Sequence, residues 1–169
     1  MVNRKYWLNK IKDAWNKRSV IWLSGVRRSG KTFLCKSINK TTYFDCELPS
    51  VRRQMEDPEG FMEQNKGKKL IIDEIHRLSN PSELLKIASD YYPDTKVIAT
   101  GSSTLAATVK FKDTLAGRKT NLWLSPIIYE DMKDFDNIDI KHRLATGGLP
   151  PFFMSKKPEE ANYQEWIDA

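Results

Sequence analysis

The sequence has few of the residues that build covalent or zinc-based scaffolds. Its 169 residues include two cysteines, Cys35 and Cys46, and two histidines. Two cysteines are too few for a disulfide framework, and their separation is not the paired spacing of a zinc site. We therefore predict that both thiols are reduced and serve as small core residues in a cytoplasmic protein.

Long apolar runs are missing as well. No stretch reaches the roughly 18 consecutive apolar residues that cross a bilayer. The first residues alternate aromatic side chains with lysines, where a secretion signal needs an unbroken apolar stretch. Hydrophobic residues make up 40% of the chain, which is enough for one core. The composition predicts a single soluble domain that is neither exported nor inserted in a membrane.

Acidic residues are scarce at the N-terminal end. The first 40 positions hold eleven Lys and Arg residues against one acid, Asp13, whereas the whole chain has a formal net charge of +6. This asymmetry indicates an anionic partner, such as nucleic acid, for the basic N-terminal segment. A solvated helix face explains it equally well, because residues 4–16 repeat aromatic side chains at helical spacing among the lysines.

Helical segments and short apolar strands alternate along the chain. Strands are predicted at residues 20–23, 42–46, 69–72, 96–100 and 121–124. Helices are predicted at residues 4–16, 31–39, within 49–64, from 81 onward, and around 129–135 and 140–145. Asn80 is placed to cap the helix that begins at Pro81. Strands that are apolar throughout and alternate with helices predict a three-layer α/β fold with a mainly parallel five-stranded sheet.

One segment matches a nucleotide-binding loop in full. Residues 25–32 have the pattern G-x-x-x-x-G-K-[ST], directly after a predicted strand and at the start of a predicted helix. The glycines let successive N–H groups surround a phosphate, and the helix N-terminus adds partial positive charge. We expect Lys31 to contact the β- and γ-phosphates of ATP and Thr32 to bind Mg²⁺. The predicted nucleotide-binding residues are Gly25, Val26, Arg27, Arg28, Ser29, Gly30, Lys31, Thr32 and Phe33.

Two acids, Asp73 and Glu74, follow the third predicted strand. In a parallel sheet they lie at the same edge as the phosphate-binding loop. Asp73 is expected to hold Mg²⁺, directly or through water. Glu74 is expected to accept a proton from the attacking water, and such a pair indicates hydrolysis more than phosphate transfer to a small acceptor. Two solvated acids after a strand are the alternative.

Three further positions have two interpretations each. Ser102, or its neighbour Ser103, can orient the attacking water or belong to a simple Gly-Ser turn. Arg118 can sense phosphate, in its own subunit or across an interface, or be an exposed arginine without such a role. His76 can couple hydrolysis to movement or simply open the loop after the acids.

These pieces, in this order and spacing, resemble the AAA+-like P-loop ATPase family of bacteria and archaea. The resemblance rests on residues 25–32, 43–45, 73–76, 100–103, 115–118, 124–126 and 147–150. It implies a sheet of the additional-strand type in the order 5-1-4-3-2, in which the strand ending at Thr100 separates the phosphate-loop strand from the acid-bearing strand. It also implies ATP hydrolysis, with Ser102 in the sensor position and Arg118 as a phosphate-sensing arginine.

The resemblance also implies a division of the chain. Residues 1–137 would form the ATPase core, and residues 138–169 would start a small helical lid that includes the turn at 147–150. Members of the family usually carry a further C-terminal domain, so the chain is expected to be a fragment or a truncated relative. Glutamine is more usual in the family where this chain has His76.

The sequence therefore predicts an ATP- and Mg²⁺-dependent ATPase that couples turnover to a conformational change. Two alternatives stay open at this point. One is a small P-loop kinase, and the other is a nucleotide-gated module that binds nucleic acid with little hydrolysis. An arginine that acts across subunits would require a homo-oligomer.

Overall fold

Helices and strands alternate in the structure as the sequence predicts. The computed structural model describes residues 2–101, 115–155 and 160–167. The first elements are α1 (Lys5–Lys17), β1 (Val20–Ser24), α2 (Lys31–Lys36), β2 (Thr42–Asp45), α3 (Pro49–Gln54) and α4 (Pro58–Gln64). They are followed by β3 (Lys69–Asp73), a 3-10 helix (Ile75–Arg77), α5 (Pro81–Tyr91), β4 (Lys96–Thr100) and β5 (Lys119–Trp123).

Local capping determines where several helices begin and end. The side chain of Asn80 accepts a hydrogen bond from the first turn of α5, as predicted. Residues 49–64 form two helices instead of a loop and one helix, because a proline suited to the first helical turn begins each of them. The helix α2 ends at Lys36, three residues before its predicted end. The hydroxyl of Ser37 donates a hydrogen bond to the Leu34 carbonyl at 2.7 Å, which satisfies one of the last helical carbonyls.

The five strands form one parallel sheet. Their order is β2-β3-β4-β1-β5, which is the predicted order 5-1-4-3-2 counted from the opposite edge, so the predicted fold is confirmed. The strand β4 lies between β1 and β3, with Ile98 opposite both Ile21 and Ile71. Because all the strands are parallel, their carboxyl ends lie along one edge. This edge carries both the phosphate-binding loop and the two acids.

Helices cover both faces of the sheet. On one face, α1 and α2 bury Trp7, Ile11, Trp15 and Leu34 against Ile21, Leu23, Ile71 and Ile98. On the other, α4 and α5 bury Phe61, Met62, Leu84 and Leu85 against Leu70, Ile72, Val97 and Ala99. Cys35 is buried on the first face and Cys46 on the second. Burial raises the pKa of both thiols, that of Cys46 to about 12, as suits inert core residues.

Residues 126–155, here called the C-terminal helical segment, follow the end of β5. They contain the helices Tyr129–Met132, Ile140–Thr146 and Pro150–Phe153 and a 3-10 turn at Lys133–Phe135. Ile127, Met132, Phe135 and Phe153 pack into a small core of their own. A further helix spans Glu160–Ile167, and none of the helices in the described ranges is long and apolar enough to cross a membrane.

Candidate functional site

The phosphate-binding loop connects β1 to α2 at the carboxyl edge of the sheet. Gly25 and Gly30 have φ values of 154° and 93°, in the region that favours glycine. A Cβ atom on Gly25 would lie 2.4 Å from the carbonyl oxygen of Leu124, so a side chain would collide with the chain that follows β5. The loop can therefore adopt its shape only with glycine at this position. Ser29 is fully buried within it.

Lys31, the first residue of α2, extends back along the loop. Its ammonium group donates hydrogen bonds to the carbonyls of Gly25 at 2.9 Å and Val26 at 3.2 Å. Burial lowers the pKa of Lys31, and the nearby carboxylates of Glu74 and Asp73 oppose that shift. The cation is thus held inside the loop, where the phosphate groups would bind.

Asp73, at the end of β3, is surrounded by three hydroxyl groups. Thr32 donates to its Oδ2 atom at 2.9 Å and Tyr43 donates to the same atom at 2.5 Å. Thr100, at the end of the neighbouring strand β4, donates to its Oδ1 atom. The pKa of Tyr43 is raised by burial and by the hydrogen bond of Tyr43 to Asp73. The structure thus brings the two predicted Mg²⁺ ligands, Thr32 and Asp73, into direct contact.

Sequence reasoning did not identify Tyr43 and Thr100 as partners of Asp73. A signal for both was present, because the order of the strands places β2 and β4 on either side of β3. In that order Asp45 pairs with Asp73, and Tyr43 lies two residues before Asp45 on the same face of β2. Hydroxyl residues near the carboxyl ends of these neighbouring strands are therefore within reach of the Asp73 carboxylate.

Glu74 directly follows Asp73, and the backbone turns away from the strand at this position. Its φ of 53° is left-handed, a conformation that costs a non-glycine residue on the order of 1–3 kcal/mol and is concentrated at functional sites. Its backbone N–H donates to the Thr100 hydroxyl at 3.2 Å, and its carboxylate lies 3.1 Å from Nδ1 of His76. Burial raises the pKa of Glu74, with His76 opposing the shift. His76 therefore contacts the acid that was predicted to act as a base.

A cavity of about 670 Å³ opens beside the loop, within the range of ligand-binding pockets. Its lining comes from the N-terminal residues, the loop and α2, the end of β3 and the C-terminal helical segment: Val2, Arg4, Arg27, Arg28, Gly30, Lys31, Thr32, Phe33, Leu34, Glu74, Phe135, Pro150, Pro151 and Met154. Pro150 would lie 3.8 Å from a Cβ atom on Gly30, so the C-terminal helical segment adjoins the loop directly. The side chain of Phe33 is 66% exposed at this cavity, although large aromatic residues are usually buried.

Three predicted residues remain to be located: Ser102, its neighbour Ser103 and Arg118. Ser102 and Ser103 lie outside the described residues. Arg118 immediately precedes β5, whose first residue, Lys119, pairs with Val20 at the start of β1. It therefore lies at the amino edge of the sheet, opposite the phosphate-binding loop, and its guanidinium binds Asp90 at 2.8 Å. The structure does not support a role for Arg118 at a phosphate of its own chain, because the length of a strand separates the two edges.

The donor set at the carboxyl edge suits Mg²⁺. A hydroxyl and a carboxylate, from Thr32 and Asp73, are hard oxygen ligands, and Mg²⁺ is usually held by one or two such groups together with phosphates and water. Within the described ranges there is no cluster of three or more His, Cys, Asp or Glu side chains that would suit a larger metal site. The residues present therefore fit a phosphate-bound magnesium ion better than a metal cage built by the protein alone.

Known proteins share this arrangement of strands and helices. The Walker-type ATPase of Pyrococcus abyssi matches 91% of this chain and 66% of its own, with a TM-score of 0.61 and 16% identity. The ORC1 protein of Aeropyrum pernix, solved in complex with DNA, matches 79% of this chain and 48% of its own, with a TM-score of 0.55 and 12% identity. At such identities these likenesses show the fold alone.

Sequence comparison extends the relationship. The uncharacterized proteins Rv2008c of Mycobacterium tuberculosis and Mb2031c of Mycobacterium bovis are each 24% identical to this chain over 165 residues. The match covers 95% of this chain but 36% of theirs, so the chain spans about a third of the length of these relatives. A family model of the AAA domain, AAA_14, matches residues 17–133. The chain therefore belongs to this AAA family of P-loop ATPase domains.

Proposed function

We propose that this domain binds ATP with Mg²⁺ and hydrolyses it to ADP and phosphate. The observation that carries the proposal is the contact between Thr32 and Asp73 at 2.9 Å, beside the Lys31 ammonium within its loop. A phosphate-binding loop and a carboxylate at the end of a strand meet there at one edge of the sheet. Neither a loop alone nor a pair of solvated acids alone accounts for this convergence.

Each residue has a distinct task in the proposed reaction. The backbone N–H groups of the loop and the ammonium of Lys31 would bind the β- and γ-phosphates. Thr32 and Asp73 would hold Mg²⁺, which when bound neutralises charge on the phosphate oxygens. Glu74 would accept a proton from water as the water oxygen bonds to the γ-phosphorus and the bond to the bridging oxygen breaks. Its raised pKa makes Glu74 a better proton acceptor than an ordinary carboxylate.

The cavity beside the loop would receive the nucleoside. Apolar side chains from three parts of the chain line it, namely Val2, Phe33 and Met154. Apolar side chains suit the faces of a base ring, and the exposed Phe33 would lose solvent contact on binding. Because Pro150 adjoins the loop, we propose that residues 138–169 form a lid on the core, 1–137, and that nucleotide binding changes its position.

The proposal is tested by phosphate release from ATP with and without divalent metal. We expect steady turnover with Mg²⁺ and loss of at least about 100-fold when EDTA replaces it, because the two oxygen ligands would have no ion to hold. The products should be ADP and inorganic phosphate. Transfer of labelled phosphate to a small acceptor would support the kinase alternative, and turnover unaffected by EDTA would contradict the assignment of Thr32 and Asp73.

A nucleic-acid partner is the second proposal, and α1 carries the observation that favours it. The helix buries its aromatic face and leaves four lysines exposed: Lys5, Lys10, Lys12 and Lys17. Several cations on the exposed side of one helix can contact a phosphate backbone. ORC1, which shares the fold, is a protein solved in complex with DNA. We propose that the exposed face of α1 contacts nucleic acid in this protein.

Charge reversal on α1 tests the second proposal. The double variant Lys10→Glu, Lys12→Glu should weaken binding to duplex DNA on the order of tenfold at low salt, and wild-type binding should weaken steeply as salt rises. The matched control is Lys66→Glu, Lys86→Glu, which reverses two exposed lysines on the opposite face of the sheet. Fluorescence anisotropy with labelled DNA measures both. Equal affinities for the two double variants would show that α1 is only a solvated face.

A further inference from the structure

A buried arginine connects the phosphate-binding loop to the C-terminal helical segment. Arg4 precedes α1 and is only 4% exposed. Its guanidinium donates hydrogen bonds to the carbonyls of Ser29 in the loop and of Ser125 after β5, each at 3.0 Å. It also binds the carboxylate of Asp131 at 2.5 Å. The side chain of Arg4 thus contacts Ser29, which is 25 residues away in the sequence, and Asp131, which is 127 residues away.

Asp131 is held firmly at the other end of this connection. It is fully buried, and its Oδ2 atom also accepts hydrogen bonds from the Trp7 indole at 3.1 Å and from the Ile128 backbone at 3.3 Å. The backbone contacts of Arg4, which include a longer one to the Pro126 carbonyl at 3.4 Å, and these two contacts of Asp131 fix both partners. The pair therefore has one defined position between the loop and the helix Tyr129–Met132.

Stability alone does not explain this ion pair. Burial of two charges costs several kcal/mol per ion, and apolar residues in their place are often as good or better. The pair also leaves Nε of Arg4 and Oδ1 of Asp131 buried without a hydrogen-bond partner among the described residues. An incompletely satisfied buried pair of this kind is a poor stabilising device, so its contacts with the loop need a different explanation.

The contact with Ser29 bears directly on phosphate binding. A trans peptide unit is planar, and its carbonyl and N–H groups point in opposite directions. By holding the carbonyl of Ser29, Arg4 therefore also fixes the direction of the N–H group of Gly30, one of the loop amides. A change in Asp131 would reach that amide through Arg4 without any direct contact between Asp131 and the nucleotide.

We propose that Arg4 is a positioning residue for the nucleotide site and that Asp131 sets its position, so that the loop and the C-terminal helical segment change state together. The inference rests on the proposed binding of ATP. Nucleotide at the loop would be sensed by residues 127–135 through the Ser29–Arg4–Asp131 contacts. Conversely, a displaced helical segment would loosen the loop and weaken its hold on phosphate.

A neighbouring ion pair offers a matched control. Asp134 accepts a hydrogen bond from the backbone of Lys5 at 2.8 Å, and the Lys5 ammonium lies 3.6 Å from its carboxylate. This pair joins α1 to the same helical segment, and the side chain of Asp134, like that of Asp131, is buried. Both of these contacts join Asp134 to Lys5, and neither involves the phosphate-binding loop. Asp131→Asn and Asp134→Asn thus remove the same charge from adjacent sites that differ in their connection to the loop.

The test measures ATP affinity and hydrogen exchange at a temperature where every variant is folded. We expect Asp131→Asn to weaken ATP binding on the order of tenfold and to abolish ATP-induced protection of amides in residues 127–135. Asp134→Asn should stay within about twofold of wild type in affinity and retain the protection. Arg4→Lys should resemble Asp131→Asn, because an ammonium group cannot reproduce the forked contacts of a guanidinium.

A second variant guards against failure of the first to fold. Trp7→Phe removes one donor to Asp131 while keeping both charges, and it should cause a smaller loss of the same two readouts. If Asp131→Asn and Asp134→Asn have equal ATP affinity and equal protection, the inference is overturned and the proposed function stands. If the wild-type chain binds no ATP, the proposed function fails and the inference fails with it.

Discussion

The variant Glu74→Gln is expected to bind ATP as wild type does and to hydrolyse it about 10²–10⁴-fold more slowly. Glutamine has the shape of glutamate but cannot accept a proton, so only the step that activates water should be lost. The phosphate contacts of the loop and the Thr32–Asp73 pair would stay in place. Single-turnover phosphate release, measured beside the dissociation constant for ATP, separates the two effects.

Glu47→Gln is the control for this variant. Glu47 lies near the same edge of the sheet, but its carboxylate is exposed and pairs with Arg77 at 3.1 Å. Its removal should change the hydrolysis rate by less than about twofold, as expected for a surface ion pair. Equal rates for Glu74→Gln and wild type would remove Glu74 as the proposed base. Another group would then have to activate the water.

The variant Lys31→Ala is expected to lose measurable ATP binding, with a dissociation constant raised on the order of 100-fold or more. Hydrogen bonds from a cation to phosphate are among the strongest in proteins, and removal of one leaves the negative charge without compensation. Isothermal titration with ATP-Mg²⁺ measures the loss. Hydrolysis should be lost as well, because a variant that does not bind ATP cannot hydrolyse it.

Two controls separate this effect from a damaged fold. Lys31 also donates to the carbonyls of Gly25 and Val26, so the melting temperature of the variant without nucleotide reports whether the loop itself has been disturbed. Lys86→Ala removes an exposed lysine from α5 and should leave the affinity unchanged. Retention of wild-type ATP affinity by a folded Lys31→Ala variant would contradict the proposed site.

Much of the fold follows from local pattern. Short apolar runs between helical segments predict a parallel sheet covered on both faces, and the order of the strands agrees with the one implied by family resemblance. The boundaries are less well predicted, as at α2, where the hydroxyl of Ser37 turns back to a helical carbonyl. A single side-chain hydrogen bond decides where such a helix ends, and the spacing of apolar residues does not predict that bond.

The site was only partly predictable for a similar reason. The loop and Asp73 can be identified because their chemistry requires particular residue types at particular places along the chain. A phosphate-sensing role is one of two interpretations of Arg118 from the sequence, and family resemblance implies it too, yet in the structure Arg118 lies at the opposite edge of the sheet, paired with Asp90. Its remaining predicted role, on a neighbouring copy of the chain, stays a prediction.

The sequence by itself determined the phosphate-binding loop, the acids after the third strand and the α/β fold, because each depends on residues that are close together along the chain. Only the tertiary structure decided that Tyr43 and Thr100 hold Asp73 and that Arg4 joins the loop to Asp131. These contacts join segments that are far apart in the sequence. The packing of the sheet and helices brings those segments together. A linear pattern can state which side chains exist, but three-dimensional packing decides which of them touch.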